Sequence, residues 1–223
     1  MQDILTNEWN VDLAAQKDTA GVEKFVENLL WRRGRAPSEK ELGFFWKAMA
    51  ASLFGLDTPE GNKYCFYLVG RGNNGKTSLI NVVEKMLGGD CLETNTIFRD
   101  AVDTPVVPKL EIFSDFQDFD FRILEELTET GPARRSCWLV GNSELERRNV
   151  DEGPLSRIRR LEFFAEFVPA EKHDFTKRAD PRADKLPADH NLVERVLSPE
   201  GIHAFFSLLL EGREAFLKEG LSQ

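Results

Sequence analysis

Cysteine is scarce in this chain, with Cys65, Cys91 and Cys137 the only three among 223 residues. Their number is odd and their spacing wide, which excludes a disulfide scaffold and gives no metal-ligand pattern. Cys65 and Cys137 fall in expected strands, as buried thiols of a reducing compartment would. Histidine is equally rare, and His173, His190 and His203 are too scattered to suggest a metal site or a triad. Net positive charge is also missing. Lys and Arg number 29 against 38 Asp and Glu, giving −9, so no global attraction to nucleic acid exists and any such contact must be local. No apolar run reads as a membrane span, and there is no signal-peptide pattern and no internal repeat. What is present is ordinary for a soluble globular protein, 41% hydrophobic and 30% charged. The length suits one α/β domain with appendages.

One stretch organises the rest. Tyr64-Cys65-Phe66-Tyr67-Leu68-Val69 is aromatic and β-branched without a turn residue, the pattern of a buried strand. Gly70-Arg71-Gly72-Asn73-Asn74-Gly75-Lys76-Thr77 then fits G-x-x-x-x-G-K-[ST] at every fixed position. Leu79, Ile80, Val82, Val83 and Met86 follow at helical spacing, and Gly88-Gly89 stops the helix. A triphosphate needs several N–H donors close to its oxygens, and Gly70, Gly72 and Gly75 allow a backbone to wrap that closely. The helix directs its positive end at the phosphates. Lys76 would supply a point charge to the β- and γ-phosphates, and Thr77 a hydroxyl to Mg²⁺. The nucleotide-binding candidates are Gly70 through Ser78, with ATP and Mg²⁺ as the cofactors.

In chain order, residues 1–18 carry few periodic signals and are expected to be a lead-in. Val22, Phe25, Val26, Leu29 and Leu30 predict a helix from about Thr19 to Arg33, closed by Arg32, Arg33 and Gly34. Dipole complementation at a solvated helix end explains those arginines better than nucleic-acid contact. Pro37-Ser38-Glu39-Lys40-Glu41 is a capping box that starts a helix running to Gly55. Its Phe45, Trp46, Met49 and Leu53 stripe reads as core. Asp90 to Thr94 predicts a second strand.

Lys109 to Asp115 predicts a strand ending in an acid. Such a strand, adjacent to the P-loop strand, would hold Mg²⁺ through water and help polarise the attacking water. Asp115 is the leading candidate, followed by Asp118 and Asp120. Phe121 to Glu129 reads as a short helix, and Cys137 to Asn142 as a third buried strand. Asn142 would orient the water or contact the γ-phosphate, and Asn is also a common turn residue. Asp151 to Pro154 reads as a turn. Ser156 to Phe164 predicts a strand with Arg157, Arg159 and Arg160 on one side, either an arginine finger or an edge strand's solvated face. Residues 169–190 read as a long surface connection. Leu192, Val193 and Val196 suggest a short helix, and Ser198-Pro199 caps a last helix that reaches Gly220. The divisions expected are 1–60 helical, 61–168 the P-loop core, and 169–223 a connection and helical segment.

These stretches together resemble superfamily 3 helicases, and within them the C-terminal helicase module of phage and plasmid primase-helicases, the poxvirus-primase-like group. Four places carry the likeness: Phe44-Phe45-Trp46 through Leu56, the Asn-Gly-Lys form of the P-loop, Gly141-Asn142 with Arg157 following, and Leu192-Val193-Glu194-Arg195 through Gly212. The resemblance implies a P-loop NTPase of AAA+-like type, α/β with a central, mostly parallel sheet flanked by helices. It implies a homo-oligomeric, hexameric ring with ATP between subunits, Arg157 entering the neighbour's site, and Arg159 or Arg160 as alternates. Single-stranded DNA would thread the centre and be translocated 3′ to 5′, with a primase or primase domain as partner, in the cytoplasm of a bacterial host or a virus-infected cell. Two features depart from that family. Asp115 stands alone after Ser114, and the segment before Cys137 is short, leaving Arg134 and Arg135 to contact the DNA backbone. The same residues also fit a related ATPase that remodels a protein partner, or a nucleotide-binding replisome scaffold with little turnover.

Overall fold

The computed structural model describes residues 16–54, 64–88, 91–94, 110–114, 136–142, 152–172 and 184–221. Two helices lead, α1 (Thr19–Leu29) and α2 (Glu39–Phe54), followed by β1 (Cys65–Val69) and α3 (Lys76–Leu87). The strands β2 (Cys91–Thr94), β3 (Leu110–Ser114) and β4 (Ser136–Gly141) come next, then the short α4 (Glu152–Ser156) and β5 (Ile158–Glu162). The chain closes with β6 (Glu166–Val168), β7 (Lys185–Pro187), α5 (His190–Val196) and α6 (Pro199–Glu219).

Five strands form one parallel sheet in the order β2-β3-β4-β1-β5. All five residues of β1 are buried, the signature of a central parallel strand covered on both faces. Phe66 and Leu68 point with Ile112, Trp138 and Val140 into the main core, which α1, α2, α3 and α6 complete. Cys65, Tyr67 and Val69 share the other face with Phe113, Cys137 and Leu139. The fold is therefore the α/β class expected, P-loop NTPase-like, a parallel sheet flanked by helices. α2 and α6 pack through ring contacts, Trp46 against Phe205 at 5.2 Å and Phe54 against Phe206 at 6.2 Å. Cys65 and Cys137 are buried thiols paired in register, with Cys65 Sγ donating to Cys137 Sγ at 3.0 Å. No described helix is long and apolar enough to cross a membrane.

The strand order corrects one expectation. β3 is not adjacent to β1, because β4 pairs with both and lies between them. Since every strand runs the same way, the ends of β1, β3 and β4 still open on one edge, where ligands of such sheets bind.

Local details differ elsewhere. α1 stops at Leu29, not at Arg33, and no basic residue lies in its last turn. Arg32 and Arg35 instead form a bridge around Arg33 and Gly34, both with positive φ (53° and 72°), the two-residue turn that suits a tight hairpin. The Arg32 guanidinium sits 4.1 Å from the Phe164 ring centre, so these arginines serve the turn and its packing rather than the helix dipole. The capping box forms as expected. The Ser38 amide donates to Glu41 Oε2 at 2.7 Å, and the Glu41 amide donates to Ser38 Oγ at 3.3 Å. Glu152, Gly153 and Pro154, read as part of a turn, lie in α4. The β5 arginines are not on one side. Arg159 and Arg160 are successive residues of a strand and so face opposite ways, Arg159 stacking on Tyr64 at 3.9 Å and Arg160 pairing with Glu162 at 2.8 Å. The expected surface connection at 169–190 contains β7, which pairs in parallel with β6 just before it. The helix expected at 121–129 lies outside the described residues.

Candidate functional site

The P-loop leaves the end of β1 beside β4, where the Gly70 amide donates to Gly141 O at 3.3 Å. Gly75 closes the loop at φ 82° as the N-cap of α3, with no capping side chain. Only glycine takes that conformation without strain. A Cβ there would also collide with Leu29 of α1. The Lys76 amide donates to Asn74 Oδ1 at 3.4 Å, and the next amides of the first turn have no capping side chain from Gly75.

Lys76, the first residue of α3, is 6% exposed. Its ammonium donates to Gly70 O at 2.6 Å, Asn74 Oδ1 at 3.0 Å, Asn142 Oδ1 at 3.2 Å and Arg71 O at 3.4 Å. All four acceptors are neutral. Burial holds the Lys76 pKa below the usual lysine range, because a low dielectric disfavours the charged form. The charge is thus concentrated at the loop, uncompensated by a carboxylate among the described residues.

Asn74 ties this lysine to the sheet. It is 2% exposed, and its Nδ2 donates to Phe163 O at 3.3 Å while its Oδ1 accepts from Lys76. A Cβ at Gly70 would collide with both Asn74 Nδ2 and Phe163 O, so the bridge runs through space that only glycine leaves open. Asn73, with φ 60°, gives its carbonyl to the Phe167 amide at 2.7 Å. The loop is thereby anchored to β6 as well as to β4 and β5.

A cavity of about 710 Å³ opens over the loop, within the range of small-molecule sites. One end is polar, formed by Gly72 to Ser78 with Ser114, Gly141 and Asn142. Gly70 and Arg71 stand behind it and hold Lys76 through their carbonyls. The lining also takes in Phe25 and Asn28 of α1, Ile80 and Asn81 of α3, His190, Leu192 and Val193 of α5, and Phe167 of β6, whose ring lies close to Gly75. Asp189 also lines it, but its carboxylate accepts the Leu192 amide at 3.0 Å as the N-cap of α5. α1 is held to α5 by the pairing of Asp18 with Arg195 at 2.9 Å, and that hydrogen bond lowers the Asp18 pKa.

The structure therefore brings together Gly72 through Ser78, Lys76 and Asn142, all expected at the site. Thr77 is exposed and lines the cavity. Asp115, Asp118, Asp120, Arg134 and Arg135 lie outside the described residues. Arg157 is not brought to this site within the chain. Its carbonyl accepts the Cys65 amide at 2.9 Å, at the start of β1, roughly 16 Å of strand from the loop at about 3.3 Å per residue. Arg159 and Arg160 lie along the same edge strand. Much of the rest of the lining was not expected at the site, including Phe25, Asn28, Ser114, Phe167, His190 and Val193. Their types gave no signal apart from core periodicity.

The described residues contain no group of three or more acidic, His or Cys side chains that could hold a metal alone. A hydroxyl at the start of α3 beside a bare helix end suits a cation held mainly by phosphate oxygens and water, as Mg²⁺ is.

Such an edge site, a P-loop around a buried lysine on a parallel sheet, defines a P-loop NTPase-like protein. No protein-family model and no curated protein matches the chain. Among solved structures it is similar to the apo C-terminal region of NrS-1, at TM-score 0.49 and 10% identity over 94% of this chain and 54% of that one. A second apo structure of that region gives 0.48 and 11%, over 94% and 53%. The JCV helicase gives 0.37 and 14%, over 91% and 73%. The chain spans about half the length of the NrS-1 structures it matches.

Proposed function

We propose that the protein is an ATP hydrolase that drives movement along single-stranded DNA as a superfamily 3 type helicase module in phage, viral or plasmid replication. The observation that carries the hydrolase part is the Lys76 ammonium, buried and held by four neutral oxygens at the mouth of a cavity lined by P-loop and helix-start amides. That arrangement favours a polyanion, and the one acidic residue in the described lining, Asp189, is engaged by the Leu192 amide.

In this reading, the loop amides and Lys76 hold the β- and γ-phosphates. Lys76 exchanges some of its carbonyl partners for phosphate oxygens. Asn142, at the end of β4, orients the attacking water or the γ-phosphate by its amide. Thr77 and Asp115 would hold Mg²⁺, which supplies positive charge at the phosphate oxygens. Arg157, at the opposite edge, would act in a neighbouring subunit's site, so hydrolysis needs a ring. The DNA part rests on the sequence resemblance, through the Asn-Gly-Lys P-loop, Gly141-Asn142 and Arg157.

The test is Mg²⁺-dependent phosphate release by the purified chain and by Lys76→Ala. The expected result is turnover in the wild type and a loss of at least about a hundredfold in the variant. Equal turnover in both would overturn the site.

A further inference from the structure

Cys65 and Cys137 line no part of the phosphate site, yet they stand at the other end of the same two strands. They form the first residue pair of the β1–β4 ladder, whose last pair, Val69 and Gly141, borders the P-loop. Side chains alternate along a strand, and both cysteines fall on the sheet face shared with Tyr67, Val69, Phe113 and Leu139. They are 0% and 1% exposed.

Buried cysteines often serve as small apolar filling. The geometry here goes further. The two sulfurs are 3.0 Å apart, closer than the roughly 3.5–4.0 Å of resting carbon contacts, although sulfur is the larger atom. Neighbouring strands lie about 4.8 Å apart, inside the span of about 4.4–6.8 Å between Cα atoms that a disulfide bridges. A short approach of the sulfurs, to about 2.0 Å, would join them without any change of register.

We propose that Cys65 and Cys137 are a thiol pair that hydrogen peroxide, or another small hydroperoxide, converts into a cross-strand disulfide. A small oxidant fits the burial, since two covered sulfurs leave no room for a bulky disulfide carrier. One thiolate attacks a peroxide oxygen and the O–O bond breaks. That cysteine becomes a sulfenic acid, and the hydroxide released takes up the thiol proton as water. The second sulfur attacks the sulfenic sulfur, the S–O bond breaks, and a second water leaves. Two thiols and one peroxide thus give one disulfide and two waters, with sulfur oxidised and the peroxide oxygens reduced. The bond closes a loop across 72 positions, which restricts the unfolded chain. It ties the root of β1 to the root of β4 and leaves the P-loop end of the ladder as it is. The inference is independent of what the phosphate site binds.

The experiment exposes the full chain, Cys91→Ala and Cys65→Ala to hydrogen peroxide. Remaining thiols are then blocked in denaturant and the peptides mapped by mass. Wild type and Cys91→Ala should both give a linked peptide pair holding Cys65 and Cys137, reversed by dithiothreitol. Oxidised Cys91→Ala should melt about 5 °C or more above its reduced form. Cys65→Ala should give neither the link nor the shift, and melts of the reduced variants check that each folds. The wild-type map decides even if a variant does not. Cys65 and Cys137 left unmodified at a peroxide dose that oxidises the chain in denaturant would overturn the proposal. So would sulfinic or sulfonic acid at either cysteine without the link, a link to Cys91 instead, or a melt lowered by the bond.

Discussion

Lys76 Nζ lies 3.2 Å from Asn142 Oδ1, joining the helix after the P-loop to the end of the neighbouring strand. The register of β1 on β4 sets this contact, since Val69 faces Gly141 at the last pair of the ladder. A phosphate entering the loop competes for the same ammonium.

Asn142→Ala should accordingly lower kcat by about tenfold or more, as loss of one group that acts on the reacting phosphate does, with a smaller change in KM. Steady-state phosphate release over a range of ATP concentrations separates the two parameters. A rise in KM with kcat unchanged would assign Asn142 to binding alone.

Arg157 is about 16 Å from the P-loop along the strand direction, and its carbonyl is bonded at the start of β1. If it completes a neighbour's site, Lys76→Ala and Arg157→Ala should each be inactive alone. Mixed in equal amounts they should regain part of the wild-type turnover, because some interfaces then carry both intact residues. No recovery in rings shown to be mixed would argue against a shared site.

The capping box of α2 predicts a pH effect on stability. Arg35 donates to both Glu41 oxygens at 2.8 and 2.9 Å, and with the Ser38 bonds this lowers the Glu41 pKa from 4.5 to about 2. A carboxylate with a depressed folded pKa stabilises the fold above its unfolded value. That contribution fades as pH falls from about 4.5 through about 2. Glu41→Gln should lower Tm at pH 7 by about 2–4 °C, the effect of losing a cap worth about 1 kcal/mol. The gap should close as pH falls through that window. A gap constant with pH would show that the charge of Glu41 is not involved.

The P-loop around Lys76 was legible in the sequence because each of its parts is local. Gly75, Lys76 and Thr77 are consecutive, and the strand before and helix after announce themselves by period. Asn142 was legible as the end of an apolar run. The apolar lining of the cavity was not, because Phe25, Phe167 and Val193 come from three distant segments and each looks like ordinary core. Strand order was equally hidden: nothing local to β3 or β4 says which one lies beside β1. β6 and β7 have three residues each, too few for alternation to show, and Pro187 argues against a strand. Arg33 misled because a basic residue after a helical stripe reads as a helix end, whereas here it takes a positive φ in a tight turn.

The most direct measurement is steady-state ATPase of the purified chain with and without single-stranded DNA, at low and moderate salt, with Lys76→Ala as control. The net charge of −9 leaves only local basic groups to meet the DNA backbone, so stimulation should weaken as salt rises. The account predicts turnover that DNA increases several-fold at low salt, less at moderate salt, and not at all in Lys76→Ala. Turnover that DNA leaves unchanged at both salts would contradict the DNA-motor reading and point to a protein substrate for an intact ATPase core.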